Sequence, residues 1–206
     1  EKVLNIIAIG AHPDDCDEKF GGTAIKFAQM GHNVKFVSIC NGNKGHYKIG
    51  PRELAKIRKG ESREAGKRFG IAEYEVFNYP DCDFVPDLEA RQLVITLIRE
   101  WNADIVITHR PNDYHPDHRY TSQIVQDAAY NVIVPHDVPL VPALKHNPLF
   151  LYFQDNFKKP MPFSPDIVVD ITNVVDKKIH AMMAHESQYF DWLPWANGEL
   201  DKVPEG

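Results

Sequence analysis

Two short clusters in this chain carry residue types that bind a divalent metal and move protons: Ala11-His12-Pro13-Asp14-Asp15 and His115-Pro116-Asp117-His118. Zinc favours nitrogen and oxygen donors in a tetrahedral shell, and a catalytic zinc keeps three protein ligands plus an exchangeable water. His12, Asp15 and His118 meet that count. Asp14 and His115 are left over beside the metal, one a candidate base for the water and the other a candidate acid. Neither HxxD nor HxxH is specific alone, because Asp-Asp pairs often cap helices and histidines near prolines are common in loops. Both clusters follow strand-like runs, and that joint placement points to a metallohydrolase.

The first cluster follows Val3 to Ile9, a β-branched run closed by Gly10, which reads as a buried parallel strand delivering His12 and Asp15 at its carboxyl end. The second follows Ala103 to Thr108, and Pro116 suits the first position of a helix that would set His115 and His118 on one face. Strand-like and helix-like patterns alternate along most of the chain, the mark of an α/β domain with a mainly parallel sheet. Strands are predicted near Val3 to Ile9, Val34 to Ile39, Tyr74 to Asn78, Ile105 to Thr108 and Ile167 to Asp170. Helices are predicted near Gly22 to Met30, Arg52 to Phe69, Leu88 to Trp101, Asp117 to Val132 and Asn173 to Tyr189. Asp87 reads as an N-cap, and Gly31 and Gly70 as helix stops. With the usual 3-2-1-4-5 strand order, the two clusters flank the crevice where the connections diverge.

At 206 residues the chain fits one ordinary domain, residues 1–206. Its net charge of −6 and lack of a basic block argue against nucleic acid or an anionic membrane surface. Small-molecule chemistry is the better expectation. Cys16, Cys40 and Cys82 are odd in number and lack CxxC spacing, against a disulfide framework or a thiolate zinc site. A buried packing role is expected for Cys16. No stretch reaches membrane-spanning length. A cytoplasmic location is the simpler expectation, with an exported form left open because the chain starts at Glu1. Gly21-Gly22-Thr23 lacks GxGxxG spacing and reads as a close strand-to-helix packing turn rather than a nucleotide cradle. Val134 to Pro148 is too proline-rich for regular structure and is expected to form a loop over or beside the site.

AHPDD, followed by Gly21-Gly22-Thr23, an Arg-Glu-Ala helix, HPDH and His185-Glu186-Ser187-Gln188, resembles the PIG-L/LmbE-like family of zinc-dependent N-acetylglucosaminyl de-N-acetylases. That family includes the phosphatidylinositol-glycan enzyme and the bacterial mycothiol and bacillithiol deacetylases. The resemblance spans Ile6 to Gln188. It implies a Rossmann-like three-layer fold and hydrolysis of an N-acetyl group from an amino sugar conjugate. It also implies His12, Asp15 and His118 as metal ligands, Asp14 as general base, and a protonated His115 as the group that stabilises the oxyanion or feeds the leaving amine. Asp117 is then expected to hydrogen-bond His115. Arg58 and Asp81 resemble positions that meet sugar hydroxyls, although a solvated helix charge and a turn aspartate are competing accounts. His185 and Gln188 are expected to face the site, and His109 and Arg110, directly after the fourth strand, to touch substrate. Relatives often carry glutamate where this chain has Cys16, and the mycothiol enzyme a tyrosine where this chain has Asp113, which hints at a different substrate.

The implied cofactor is Zn2+, with Fe2+ or another divalent ion also fitting the donor set. The implied partner is a small N-acetylated amino sugar conjugate, with a homo-oligomer left open. Two alternatives stay beside this reading: a non-catalytic, metal-stabilised carbohydrate-binding protein, and a hydrolase of another amide or ester.

Overall fold

Inward-facing residues alternate along the first strand, β1 (Asn5–Gly10): Ile6 and Ala8 join one buried cluster, and Ile7 and Ile9 the other. Both faces of such a strand are buried, so it must lie inside a sheet covered on both sides. The structure, a computed structural model, describes residues 2–204. Around β1 lie β2 (Asn33–Cys40), β3 (Glu73–Tyr79), β4 (Ile105–Thr108) and β5 (Leu149–Tyr152), all parallel, in the order β3-β2-β1-β4-β5. Helices α1 (Asp15–Gln29) and α2 (Pro51–Phe69), with the later α5 (Val175–Met182), pack together on the Ile6/Ala8 face. Helices α3 (Leu88–Glu100) and α4 (Pro116–Asn131) cover the Ile7/Ile9 face. This is the expected three-layer fold with its 3-2-1-4-5 order.

Local signals behave as the sequence predicts at several ends. Asp87 caps α3 by accepting the Ala90 N–H at 2.8 Å, and Gly70 ends α2 in the left-handed region at φ 77°. His115 is the N-cap of α4, its Nδ1 accepting the Asp117 N–H at 3.2 Å, with Pro116 in the first turn.

Four expectations are corrected. The fifth strand is Leu149–Tyr152, whereas Ile167–Asp170 is unpaired and exposed. Both are short apolar runs, and periodicity cannot separate such segments. Helix α1 starts at Asp15 rather than Gly22, with Asp15, Asp17 and Glu18 in a first turn that favours negative charge. Gly21 and Gly22 therefore lie within α1, where the Phe69 ring and the Ile171 side chain press against bare backbone. The predicted helix from Asn173 to Tyr189 is broken: α5 ends at Met182, and a wide π-type segment, Ser187–Trp192, leads into a short α6 (Leu193–Ala196). The break lets His185 turn inward, where its Nε2 meets Asp17 Oδ1 at 2.7 Å with both side chains fully buried.

The proline-rich loop after α4 is irregular, as expected, but none of its residues lines the cavity described below. It folds instead around buried Arg99, which donates to the carbonyls of Asn131, Val132, Val134, Asp137, Val138 and Val141. Among the described residues no helix is long and apolar enough to cross a membrane.

Candidate metal centre

The crevice at the carboxyl ends of β1 and β4 is a cavity of about 500 Å³, lined by residues of both clusters. β1 ends at Gly10, where an added Cβ would stand 2.8 Å from Asp15 Cβ, so only glycine lets the chain fold back this tightly. The Asp15 carboxylate accepts the His12 N–H at 2.6 Å, closing the turn. Asp14 lies between them at φ 153°, ψ −21°, a conformation costing about 1–3 kcal/mol in non-glycine residues. Buried Arg58 offsets this strain, its Nη2 donating to the Pro13 carbonyl at 2.7 Å and to Asp14 Oδ2 at 2.9 Å.

Two imidazole nitrogens and the Asp15 carboxylate converge here. His12 Nδ1 is 3.3 Å from His118 Nε2 and 3.6 Å from Asp15 Oδ2, and His118 Nε2 is 3.3 Å from Asp15 Oδ1. A tetrahedron with bonds of ~2.0–2.1 Å has edges of about 3.3 Å. The His12 Nδ1 to His118 Nε2 separation matches such an edge, and the Asp15 carboxylate lies within 3.6 Å of both nitrogens, through Oδ2 for His12 and through Oδ1 for His118.

The outer nitrogens of both imidazoles face carboxylates. His12 Nε2 lies 2.9 Å from Asp117 Oδ2, which also accepts the Cys82 N–H at 2.8 Å. His118 Nδ1 is 3.1 Å from Asp113 Oδ2, within ion-pair range although too poorly aligned for a hydrogen bond. Carboxylates so placed hold the outer protons and leave the inner lone pairs for a metal. Burial opposes charge on His12, but Asp117 and Asp15 outweigh it and raise its pKa to about 10. His118 is raised to about 9 against the same opposition, by Asp15 and Asp113. Burial holds His109 down, and the field of Asp15 only partly offsets it.

Asp117 therefore pairs with His12, not with His115 as expected: His115 Nδ1 is 3.8 Å from Asp117 Oδ2 and instead accepts the Asp117 N–H. Burial, with His12 and His118 nearby, lowers the His115 pKa and favours the neutral ring, in which Nδ1 as acceptor of the Asp117 N–H leaves the proton to Nε2. Burial pushes the Asp14 carboxyl up to about 6, against the opposing field of Arg58.

Of the expected substrate contacts, Arg58, Asp81 and Gln188 line the cavity. Asp81 also holds a cavity loop, accepting the Gly42 N–H at 2.8 Å and the Lys44 N–H at 3.3 Å, while Gln188 Nε2 donates to the Gly45 carbonyl at 3.1 Å. The structure places His109, Arg110 and His185 elsewhere. His109 is buried behind the centre, its ring stacked on His118 at 4.1 Å and its Nε2 3.2 Å from Asp15 Oδ2. Arg110 is locked in a two-pronged ion pair with Asp155, with Nη2 2.6 Å from Oδ1. His185 is sealed against Asp17.

The sequence marks Asp113 only as a departure from relatives, with no role at His118, and gives no role to Asp155. An Asp two residues before the HPDH cluster is a turn signal, realised where Asp113 Oδ1 accepts the His115 N–H at 3.0 Å. Asp155 lines the cavity just beyond β5, so a correct fifth strand would have flagged it by the strand-end rule. The cavity wall also includes Lys44, for which no motif gives a signal, and Tyr189 and Trp192 of the aromatic C-terminal run, where packing on the domain is the simpler expectation and stacking on a sugar face the alternative.

Residues 7–129 match the family profile described as PIG-L: GlcNAc-PI de-N-acetylase. The diacetylchitobiose deacetylase of Thermococcus kodakarensis is 27% identical over 203 residues, covering 94% of this chain and 74% of that protein. The N,N'-diacetylchitobiose deacetylase of Pyrococcus horikoshii, solved with an inhibitor, superposes with a TM-score of 0.81 at 26% identity, over 94% of this chain and 74% of that one. A 4-carboxy-2-hydroxymuconate hydratase from Pseudomonas putida KT2440 superposes equally well, with a TM-score of 0.81 over 97% of this chain and 86% of that one, at only 20% identity. That likeness concerns the fold alone, and a fold leaves the reaction to its site. The matched segment spans more than half of the chain and contains both the AHPDD and HPDH clusters, so the chain belongs to the PIG-L, GlcNAc-PI de-N-acetylase family.

Proposed function

We propose that this protein is a metal-dependent hydrolase that removes the N-acetyl group from a GlcNAc-type amino sugar conjugate, releasing acetate and the free amine. His12, Asp15 and His118 hold the metal in this reading, with zinc the first choice and Fe2+ the second. The observation that carries it is the convergence of His12 Nδ1, His118 Nε2 and the Asp15 carboxylate in a cavity that Asp14 also lines. When bound, the ion supplies Lewis-acid polarisation of the amide carbonyl and a lowered pKa for water.

The remaining steps belong to the chain's own groups. Asp14, ionised above about pH 6 and anchored through Oδ2 by Arg58, accepts the proton of the attacking water. The carboxylic acid so formed returns that proton to the departing nitrogen, because an amine leaves only when protonated. His115 donates from Nε2 to the carbonyl oxygen as negative charge builds there, its Nδ1 being tied to the Asp117 N–H. Arg58, Asp81 and Gln188 present polar groups to the sugar hydroxyls. Residues 1–206 act as one catalytic domain in this proposal.

The test is acetate release from N-acetylglucosamine, diacetylchitobiose and a panel of N-acetylglucosaminides, by metal-stripped protein with and without added zinc, and by Asp14→Asn. Zinc-dependent release that disappears in a variant still binding the metal is the expected result. Full turnover by metal-loaded Asp14→Asn would refute the role of Asp14. A folded, metal-binding protein inert on every acetamido sugar would refute the substrate class.

A further inference from the structure

Beside the centre just described lies a second set of donors: Cys82, His115 and Asp117 each offer an atom within 4.8 Å of the others. The sequence gives no hint of this grouping, because Cys82 follows β3 whereas the other two open α4. Cys82 is exposed at the cavity wall and held at φ 63°, a left-handed conformation that glycine or asparagine adopts more readily. Its N–H is fixed by Asp117 Oδ2 at 2.8 Å.

The partner carboxylate supplies an independent observation. Asp117 is fully buried, and while Oδ2 serves His12 and Cys82, Oδ1 has no hydrogen-bond partner. It is the only buried carboxylate oxygen in that state among the described residues. Native structures pair almost all such atoms, and a missing ion is one of the standard reasons for an exception. His115 Nδ1 lies 3.8 Å from Asp117 Oδ2 and accepts the Asp117 N–H at 3.2 Å, so an ion here takes either Nδ1 in place of that hydrogen bond or the unengaged Nε2. The His12 ring separates the two sets of donors, with Nδ1 facing Asp15 and His118 and Nε2 facing Asp117.

We propose that Cys82, His115 and Asp117 form a second, weaker site for a thiophilic divalent ion such as zinc, cobalt or cadmium. The ion takes the Cys82 sulfur, a His115 ring nitrogen, an Asp117 oxygen and one water, completing a four-coordinate shell. The Cys82 thiol gives its proton to solvent and binds as thiolate, with no oxidation or reduction. Filling this site ties up His115, so metal beyond the first equivalent inhibits; that consequence alone rests on the function proposed above.

Cobalt titration of the metal-stripped full chain tests the site without any substrate. The expected result is two equivalents: a tighter one with no sulfur-to-cobalt charge-transfer band, and a weaker one that brings the band in. Cys82→Ser keeps the same backbone demand and should lose the band and the second equivalent while retaining the first. His115→Gln should weaken the second equivalent selectively. Circular dichroism and melting curves of both variants establish that they fold. A single equivalent in the wild type, or a band that persists in Cys82→Ser, overturns the proposal. In the activity arm, zinc beyond one equivalent should suppress acetate release by the wild type but not by Cys82→Ser. Two equivalents with the thiolate band in a protein that never releases acetate would leave this site standing and refute the deacetylase reading instead.

Discussion

Asp117 is the residue whose role the structure changes most, and its replacement gives a graded prediction. Its Oδ2 accepts from both His12 Nε2 and the Cys82 N–H, whereas Oδ1 accepts from nothing. An asparagine placed with its oxygen at the Oδ2 position keeps both hydrogen bonds and loses only the negative charge. Alanine loses charge and bonds alike, freeing the His12 ring. Loss of a carboxylate partner to a metal-bound histidine typically costs 10–100-fold in affinity, about 1.4–2.7 kcal/mol. Asp117→Asn should therefore weaken the first zinc equivalent by about tenfold and Asp117→Ala by about a hundredfold. Competition against a chromophoric chelator at fixed pH measures both, with melting curves of the metal-free variants separating metal affinity from folding. The first equivalent is the one to compare, because Asp117 is also a ligand of the proposed second site. Binding by a folded Asp117→Ala within twofold of wild type, under conditions where His12→Ala has lost it, would refute the orienting role.

Three further predictions follow from the same geometry. Arg58 lowers the Asp14 pKa against the upward push of burial, so Arg58→Gln should move the acid limb of the pH–rate profile to higher pH; an unmoved limb would detach Asp14 from that limb. His185 is raised in the folded protein, with burial opposing and Asp17 prevailing. Its contribution to stability is thus fully present below the unfolded histidine pKa near 6.5 and is lost as pH rises through the folded value. Asp17→Asn should cost about 3–5 kcal/mol at pH 6 in urea unfolding, with a smaller gap to wild type at alkaline pH; equal gaps would mean the pair is not ionic. Arg99 satisfies six carbonyls, two at the end of α4 and four in the loop that follows, and bonds to no residue lining the cavity, so Arg99→Met should destabilise by about 3–5 kcal/mol and leave zinc affinity unchanged.

What the sequence discloses here depends on how local the governing physics is. The first four parallel strands and the two clusters at the ends of β1 and β4 were legible, because buried parallel strands read as apolar runs and the strand-end rule says where chemistry collects, whereas the strand order was taken from the usual winding of such chains. The fifth strand was not, because Leu149–Tyr152 and Ile167–Asp170 have equivalent local patterns and only pairing with β4 distinguishes them. That one misplacement hid Asp155, and with it the reason Arg110 is occupied elsewhere.

The residues that support the ligands were harder still to read. Asp117 lies two residues from His115 in sequence yet serves His12, 105 positions away, because the α4 N-terminus points its first carboxylate across the crevice. Asp113 turns back onto His118 for a similar reason, through the turn that leads into α4. Ligand types and spacing are sequence properties, but which carboxylate holds which imidazole is decided where β1 and β4 bring two loops together. The same juxtaposition brings the Asp117 carboxylate, one of whose oxygens is unpaired, to the exposed Cys82 at the cavity wall. A metal titration of Cys82→Ser against Asp117→Asn would therefore separate the two duties of this carboxylate. The serine variant should lose only the second equivalent, and the asparagine variant should weaken both.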